Sequence, residues 1–271
     1  MKHPLHWSLF TFIPFTAFIL FLDSTRLQPH GFGGQIVADL LVCAYFMAMI
    51  RTLDDPQLVR MMWLAVPISA VGEIAISMGL DVWVYRNHVV PVYVPFGHAI
   101  VIGTGFQAVR LAWFRRQVRW IVPTGGVTYC ALMLAAAVKC GDTLSLVCAG
   151  IFGLGLLAVE QRLPYMVMPL PVLFVECVGT FFGCWRWPRH PLGVLSTTNP
   201  PIGSIALYVG LDLVVLLAAN GWTAKRLAVW LGGPVSEGCA ELAESAAQAV
   251  APTAQTVECV SAVSDGMGPT G

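Results

Sequence analysis

Five ionisable side chains lie inside apolar segments of this chain, and they are of the types that do general acid–base chemistry. They are Asp39, Glu73, His98, Glu176 and Asp212. Charged groups are costly inside a segment of membrane-spanning length, so we take all five as candidate catalytic residues. Counted from the outer end of each segment at about 1.5 Å per residue, they lie roughly 9 to 15 Å deep. The sequence therefore predicts one layer of protonatable groups that share a pocket.

A carboxylate at that depth has three ways to lower its energetic cost. It can take up a proton, pair with His98, or line a water-filled cavity. Each of these produces a protonatable cluster, which is what general acid–base catalysis requires. A structural role is the alternative, in which Glu73 accepts an interhelical hydrogen bond and holds helices together. Its candidate donors are then Ser69, Thr180 and Tyr208.

Aromatic side chains surround the predicted outer mouth of this pocket. We expect substrate-binding roles for Trp83, Tyr85, Tyr93, Trp185, Trp187, Asn199 and Tyr208. The faces of aromatic rings can stabilise a positive charge that develops on a substrate. The longest loop between apolar segments, 185–201, is either an ordered surface loop or a lid at the membrane interface.

The residues of the layer predict neither a metal site nor a cofactor. Zinc and iron sites usually combine at least two closely spaced His or Cys ligands, and His98 is the one histidine in the layer. The sequence has no G-x-S-x-G, H-E-x-x-H or Walker motif. Cys140 and Cys184 lie near segment ends on the same predicted side, and their spacing alone leaves a disulfide between them open.

The composition is that of a helical membrane protein. Of the 271 residues, 57% are hydrophobic and 11% are charged, with a mean hydropathy of +0.73. A soluble domain carries about 25% charged residues. The net charge is zero, so nothing in the composition favours a nucleic-acid partner. We expect membrane lipids and a lipophilic small molecule as partners, and the oligomeric state stays open.

Eight apolar segments predict an all-α, polytopic membrane bundle over residues 1–232. A membrane helix needs about 20 apolar residues. The segments are 7–22, 33–50, 61–80, 89–109, 121–138, 143–159, 165–184 and 202–222. Residues 233–271 have five acids, no bases and little apolar pattern, so we expect a disordered tail. The turn Pro95-Phe96-Gly97 predicts a local break just before His98.

Lysine and arginine predict the orientation of the bundle. Ten of them lie on one side of the eight-segment arrangement and five on the other. Cytoplasmic loops carry the excess of basic residues. Both termini and the tail are therefore predicted to be cytoplasmic, with the protein in the cell (inner) membrane.

Two parts of the sequence resemble each other. VPISAVGE at 66–73 and PLPVLFVE at 169–176 each place a proline ahead of an intramembrane glutamate. Each glutamate is followed nine or ten residues later by tryptophan, at Trp83 or Trp185. Repeats of this kind occur in transporters whose halves move against one another.

These features support three functional hypotheses. The first is a membrane enzyme that uses the layer for cyclisation, isomerisation or hydration of a lipophilic substrate. A small membrane bundle with scattered intramembrane carboxylates is similar in layout to the integral-membrane terpene cyclases and carotenoid-modifying enzymes. No motif of theirs is matched, and the likeness says only that such a layout can do proton-initiated chemistry on an isoprenoid. The second is a small proton-coupled transporter, which the repeat favours. The third is a non-catalytic sensor or assembly factor whose acids only join helices.

Overall fold

Apolar helices make up most of the protein. The computed structural model describes residues 6–28, 30–158 and 162–219. The helices are α1 (Ser8–Leu22), α2 (Gly33–Thr52), α3 (Pro56–Glu73), α4 (Tyr93–Val109), α5 (Ala112–Arg116), α6 (Val118–Cys140), α7 (Thr143–Ala158), α8 (Leu163–Val167), α9 (Pro169–Phe182) and α10 (Ser204–Ala219). The predicted tail, 233–271, and the last residues of the eighth segment lie outside the described residues.

Four helical stretches are long and apolar enough to cross a membrane. They are Gly33–Thr52, Pro56–Gly79, Val118–Cys140 and Leu163–Phe182. Helices α1, α7 and α10 are apolar but shorter, and α4 has 17 residues. The prediction of a helical fold is confirmed, and these four stretches have the length and composition of membrane-spanning helices; the number eight stays a prediction.

Helix α4 differs from its predicted form at its start. It begins at Tyr93 rather than at residue 89, and it runs without interruption through Gly97 and His98. Pro95 falls in the first turn, where a proline removes no intrahelical hydrogen bond. The predicted break before His98 is therefore wrong, and His98 is held on a continuous helix.

A π-helical turn follows α3 directly. Residues Ile74–Gly79 form this wider turn, so Glu73 lies where the helical geometry changes. π-helical segments often occur at functional sites, because they re-aim the side chains beside them. The chain then passes through Asp81, which adopts a positive φ of 51°, and enters a short strand.

Two short strands join the loops that follow α3 and α9. Strand β1 (Val84–Tyr85) pairs antiparallel with β2 (Trp185–Arg186). In their register Val84 lies opposite Arg186 and Tyr85 lies opposite Trp185. Each strand returns over the end of the preceding helix, and this return brings its aromatic side chains to the site.

Close packing between helices surrounds the site. Helix α3 packs on α4 and α10, and α9 packs on α1 and α10. Two glycines of α4 allow the tightest approaches. A Cβ at Gly103 would lie 2.6 Å from Met49 Cε, and one at Gly105 would lie 2.4 Å from Met168 Cγ. Both glycines therefore bring α4 against its neighbours.

Cys140 and Cys184 do not form a disulfide. Cys140 is exposed and Cys184 is buried, and both are free thiols. The Cys184 thiol donates instead to the Leu20 carbonyl at 3.2 Å. The loop 185–201, which follows Cys184, packs against the start of α7, where Leu144 N donates to Ser196 O at 3.0 Å. Of the two predicted forms of this loop, the contact favours the ordered surface loop.

Candidate functional site

Glu73 is buried at the end of α3 and accepts three hydrogen bonds. His98 Nε2 lies 2.9 Å from its Oε1. Trp83 Nε1 donates to its Oε2 at 3.1 Å, and the Tyr85 hydroxyl donates to the same oxygen at 2.5 Å. Both carboxylate oxygens are thus engaged. The carboxylate is held by side chains from a helix and from the strand loop.

Two of the three candidate interhelical donors for Glu73 are used elsewhere. The Ser69 hydroxyl donates to Ala65 O at 2.6 Å, within its own helix. The Thr180 hydroxyl donates to Glu176 O at 2.7 Å, also within its own helix. Neither hydroxyl therefore holds the Glu73 carboxylate.

Glu176 is buried on α9 and receives a matching pair of donors. Trp185 Nε1 donates to its Oε2 at 3.0 Å, and Trp187 Nε1 donates to the same oxygen at 3.1 Å. The hydroxyl of Tyr208, the third candidate donor for Glu73, adjoins the Glu176 carboxyl group as well. Glu73 is close enough to interact with Glu176 electrostatically. Two buried carboxyl groups therefore line one site, and each accepts hydrogen bonds from aromatic side chains.

The strand pair explains why four aromatic side chains meet there. Side chains at i and i+2 of an extended chain point to the same face, so each strand loop presents two rings to the glutamate of its own helix. Trp83 packs against Trp187 with ring centroids 4.9 Å apart. Tyr85 packs against Trp185 with centroids 6.1 Å apart.

The two strand loops pair in the way that an approximate local two-fold would pair them. Trp83 and Trp185 are 102 positions apart in the chain, as are Tyr85 and Trp187. Val84 pairs with Arg186, which lies 102 positions later in the chain and is therefore the counterpart of Val84 in the second half. An antiparallel pair in which a residue faces its counterpart is the arrangement that a two-fold axis generates. The pairing of the two strands agrees with the predicted sequence repeat at these positions, and the repeat of the helices stays a prediction.

The π-helical turn absorbs the mismatch in spacing between each glutamate and the tryptophan that follows it. Trp83 follows Glu73 by ten positions, whereas Trp185 follows Glu176 by nine. A π turn takes more residues than an α turn, and among the described residues Ile74–Gly79 forms one only in the first half. The additional residue is accommodated there, so that both strands reach their glutamates in the same way.

His98 breaks the symmetry. Ser204 occupies the comparable place in the second half, after Pro-Ile-Gly rather than Pro-Phe-Gly. The His98 ring lies 4.5 Å from the Tyr208 ring. His98 is 7% exposed, and its Nδ1 is buried with no hydrogen-bond partner among the described residues. Because Nε2 is hydrogen-bonded to Glu73, Nδ1 is the ring nitrogen that has no hydrogen-bond partner among the described residues.

A cavity of about 140 Å³ lies between these groups. That is room for roughly ten water molecules or for a slender organic chain. The residues with polar side-chain groups that line the cavity are Ser69, Glu73, Trp83, Tyr85, Tyr93, His98, Glu176, Trp185, Trp187, Ser204 and Tyr208, with Thr16 on α1. The remainder of the wall is largely apolar and includes Phe12, Phe15, Ile19, Val42, Ile76, Val101, Leu207 and Leu211. The cavity thus combines a polar end with an apolar wall.

Three predicted site residues lie outside the cavity. Asp39 accepts the Tyr93 backbone N–H at 2.7 Å and so satisfies a free donor at the start of α4. Asp212 is buried on α10, one turn beyond Tyr208. Asn199 accepts the Trp187 backbone N–H at 3.0 Å and holds the loop that carries this ring.

A buried ion pair behind the site has no counterpart among the sequence predictions. Arg86 Nη2 lies 2.6 Å from Asp23 Oδ1, and both side chains are at most 5% exposed. The Tyr93 hydroxyl donates to the other Asp23 oxygen at 2.8 Å. Burial raises the pKa of Asp23, and the hydrogen bonds from Arg86 and Tyr93 oppose that shift. Asp23 stands directly after an apolar segment, a position that by itself indicates no more than the end of a span.

The described part of the chain holds no group of three His, Cys, Asp or Glu side chains that could bind a metal ion. The comparisons with known proteins add no relationship: no family model, no curated protein and no solved structure matches this chain. The site must therefore be interpreted from its own chemistry.

Proposed function

We propose that the protein is an integral-membrane enzyme that protonates the unsaturated end of a lipophilic, isoprenoid-type substrate and so drives its hydration, cyclisation or isomerisation. The single observation that carries this proposal is the pair of buried carboxyl groups and the histidine around one largely apolar cavity. Acid–base groups around an apolar cavity suit a substrate that offers a carbon–carbon double bond rather than a charged group.

Glu73 is the positioning residue for His98 in this proposal. Its Oε1 accepts from His98 Nε2, which fixes the tautomer with the proton on Nε2. A buried carboxylate does the same for the histidine of a serine protease. His98 Nδ1 then carries a lone pair without a partner and is the general base.

Glu176 is the general acid. The donors around it are neutral: the indole N–H groups of Trp185 and Trp187, and the nearby hydroxyl of Tyr208. Two ionised carboxylates in one apolar cavity with a neutral histidine would leave two negative charges without a counter-charge. A proton on Glu176 leaves a single negative charge in the cavity. That charge lies on Glu73, where the three hydrogen-bond donors to Glu73 stabilise it.

The reaction balances without a further reagent apart from water. The Glu176 carboxyl proton passes to one alkene carbon, and the other carbon becomes a cation that the surrounding aromatic faces stabilise. For hydration, water adds to the cation and His98 Nδ1 takes the proton that it loses. For cyclisation or isomerisation, a second double bond or an adjacent C–H group supplies the electrons, and His98 takes the proton. Return of that proton to Glu176 completes the cycle, and no cofactor is required.

The membrane arrangement belongs to the same proposal. We place eight spans in the cell (inner) membrane, with both termini and a disordered tail, 233–271, in the cytoplasm. The four long apolar helices support membrane insertion, and the excess of basic residues supports the orientation. The strand pair and the loop 185–201 then lie on the outer side.

Deuterium incorporation tests the proposed chemistry without advance knowledge of the product. Membranes that contain the protein are incubated in D₂O with acyclic prenyl alcohols and polyenes, and products are analysed by mass spectrometry. We expect carbon-bound deuterium, with the added mass of water where hydration occurs. Glu176→Gln should abolish it, while Asp54→Asn, a change at an exposed carboxylate, should not alter it. Wild-type turnover by Glu176→Gln would refute the proposal.

A proton-coupled transporter is the second candidate, because the local two-fold relates the two carboxyl groups. Halves related in this way can move against each other around a shared site. Proteoliposomes with and without a pH gradient distinguish the two functions. Substrate-dependent proton flux without chemical conversion would favour the transporter. Loss of folding yield in carboxyl variants, with neither turnover nor flux in the wild type, would favour a non-catalytic role.

A further inference from the structure

The cavity between the two glutamates holds more acidic groups than basic ones. Glu73, Glu176 and His98 all line it, and none of the other described residues in its wall is Lys or Arg. Among the described residues of the wall, His98 is therefore the one that could carry a positive charge. With both carboxyl groups ionised, the cavity has a net negative charge whether or not His98 takes up a proton. Such a charge in an apolar cavity requires a positive charge beside it.

The arginines of the two strand loops do not supply this positive charge. Arg86 Nη2 is paired with Asp23 Oδ1 at 2.6 Å, and Arg86 is not part of the cavity wall. Arg186 is exposed and lies between Trp185 and Trp187 in the chain. Because side chains alternate along a strand, Arg186 points away from the face that these two rings share. The negative charge of the cavity is thus left to a proton or to a ligand.

Aromatic rings suit the cavity wall to an organic cation. Trp83, Trp185 and Trp187 each donate an indole N–H to a carboxyl oxygen, so each binds its glutamate through the ring edge. A hydrogen bond made in the ring plane leaves the ring faces without a polar contact. The faces are the negative part of an aromatic ring, and quaternary ammonium ions are the ligands that aromatic cages recognise in proteins. Two acids and three indole rings around one cavity are the components of such a site.

The size and charge of the cavity limit the ligand to a small free ion. The cavity has a volume of about 140 Å³. In another protein an apolar cavity of about 150 Å³ holds benzene, and a trimethylammonium group is close to benzene in size. The head group of a choline lipid would also bring a phosphate beside two carboxyl groups, with no Lys or Arg in the described wall. A free monocation is therefore favoured over a lipid head group.

We propose that the cavity binds a free organic monocation with a quaternary ammonium head, with Glu73 and Glu176 as its counter-charges and the tryptophan rings around it. Such an ion has the charge and the branched shape of the tertiary carbocation that protonation of an alkene forms. The inference therefore deepens the proposed function and rests on it for that chemistry. A stable mimic of a high-energy state binds an enzyme more tightly than the neutral substrate does.

Three soluble probes separate the charge of the ligand from its shape. Choline carries the trimethylammonium head, 3,3-dimethylbutanol is its neutral isostere with carbon in place of nitrogen, and phosphocholine adds a phosphate. Binding of each probe to the full chain in detergent is measured by isothermal titration calorimetry. We expect the wild type to bind choline about tenfold or more tightly than either of the others, since cation–aromatic attraction and a carboxylate together supply about that factor.

The deciding variant is Glu176→Gln, which keeps the shape of the side chain and removes one negative charge. It should lower the affinity for choline about tenfold and leave the affinity for the neutral isostere unchanged. Because the ratio of the two affinities is taken within one variant, a general loss of packing cancels. Asp54→Asn removes an exposed carboxylate outside the cavity and should leave the ratio at its wild-type value. If Glu176→Gln does not fold, Glu73→Gln decides in the same way.

The cation site is overturned if the wild type binds no choline, or if it binds choline and the neutral isostere equally. An unchanged affinity ratio in the folded glutamine variant also overturns it, and phosphocholine binding as tight as that of choline overturns the free monocation. The binding assay is independent of turnover. Should Glu176→Gln still convert substrate in the deuterium assay, the acid–base proposal fails while the choline preference stands. Should the preference be missing while Glu176→Gln is inactive, only the cation site fails.

Discussion

Glu73→Gln should disable the site by turning His98 into the wrong tautomer. Gln keeps the shape of the side chain but has one acceptor oxygen and one NH₂ group. If its oxygen accepts from Trp83 and Tyr85, its NH₂ faces His98 Nε2, which must then be the acceptor. The ring proton moves to Nδ1, the atom that is buried and has no described partner. The free base of the wild type becomes an unsatisfied donor.

In the opposite orientation of the introduced glutamine amide, one hydrogen bond of the wild type is still lost. The oxygen then accepts from His98, and the NH₂ group faces two donors. The Tyr85 hydroxyl can rotate and accept, but the Trp83 indole N–H can only donate. A buried donor without a partner costs about 1–3 kcal/mol. We therefore expect the His98 tautomer switch or a lost Trp83 bond, and a rate lower by about 10²–10⁴-fold, the usual contribution of a positioned acid–base group.

The assay combines turnover with direct observation of the ring. Deuterium incorporation in membranes measures the rate, and ¹⁵N NMR of histidine-labelled protein reports the tautomer, with His98→Gln used to assign its signals among six histidines. Tyr85→Phe is the matched comparison, because it removes one donor to Glu73 and leaves the carboxylate and tautomer in place. It should lower the rate by less than about tenfold. Wild-type turnover by Glu73→Gln, or loss of activity with both the Nε2–H tautomer and the Trp83 emission unchanged, would contradict the reasoning.

Three further changes test the surroundings of the two carboxyl groups. Trp187→Phe removes one donor to Glu176 and should lower turnover by about tenfold, given a net hydrogen-bond contribution of about 0.5–1.5 kcal/mol; the deuterium assay measures it. Gly179→Ala places a Cβ 2.1 Å from the Trp185 ring and should displace that indole, seen as a shift in tryptophan emission. Asp23→Asn leaves Arg86 buried without a counter-charge and should destabilise the protein by about 3–5 kcal/mol, measured by thermal unfolding.

The layer of ionisable groups was predicted from depth alone, and depth does not determine which face of a helix a residue occupies. Glu73, His98 and Glu176 lie in one cavity wall, whereas Asp39 and Asp212 lie outside it. Helix rotation decides this difference, and strongly apolar helices carry little amphipathic signal from which rotation could be read. Whether these side chains catalyse a reaction stays a prediction.

The contacts made through the loops could not be predicted from the same sequence. The register of β1 and β2 depends on two-residue strands, which are too short for a recognisable alternation. That register brings Trp83 and Tyr85 back to Glu73. The Asp23–Arg86 pair joins positions 63 apart, and no local pattern reports such a contact. Contacts between residues that are far apart in the chain, made through the loops, therefore determine which side chains meet at the site.

In the proposed mechanism, His98 is the feature that gives the two glutamates different roles. Two carboxyl groups with identical surroundings would share one proton with no preference for either group. Here each receives two aromatic donors from its own strand loop, but only Glu73 has a histidine opposite it, where the second half has Ser204. In the proposed mechanism, the ring nitrogen bound to Glu73 makes that group the positioning carboxylate and leaves the proton on Glu176. His98→Ser should therefore remove the difference that separates the two roles: the tryptophan hydrogen bonds would persist, seen as unchanged tryptophan emission, while deuterium incorporation would be lost.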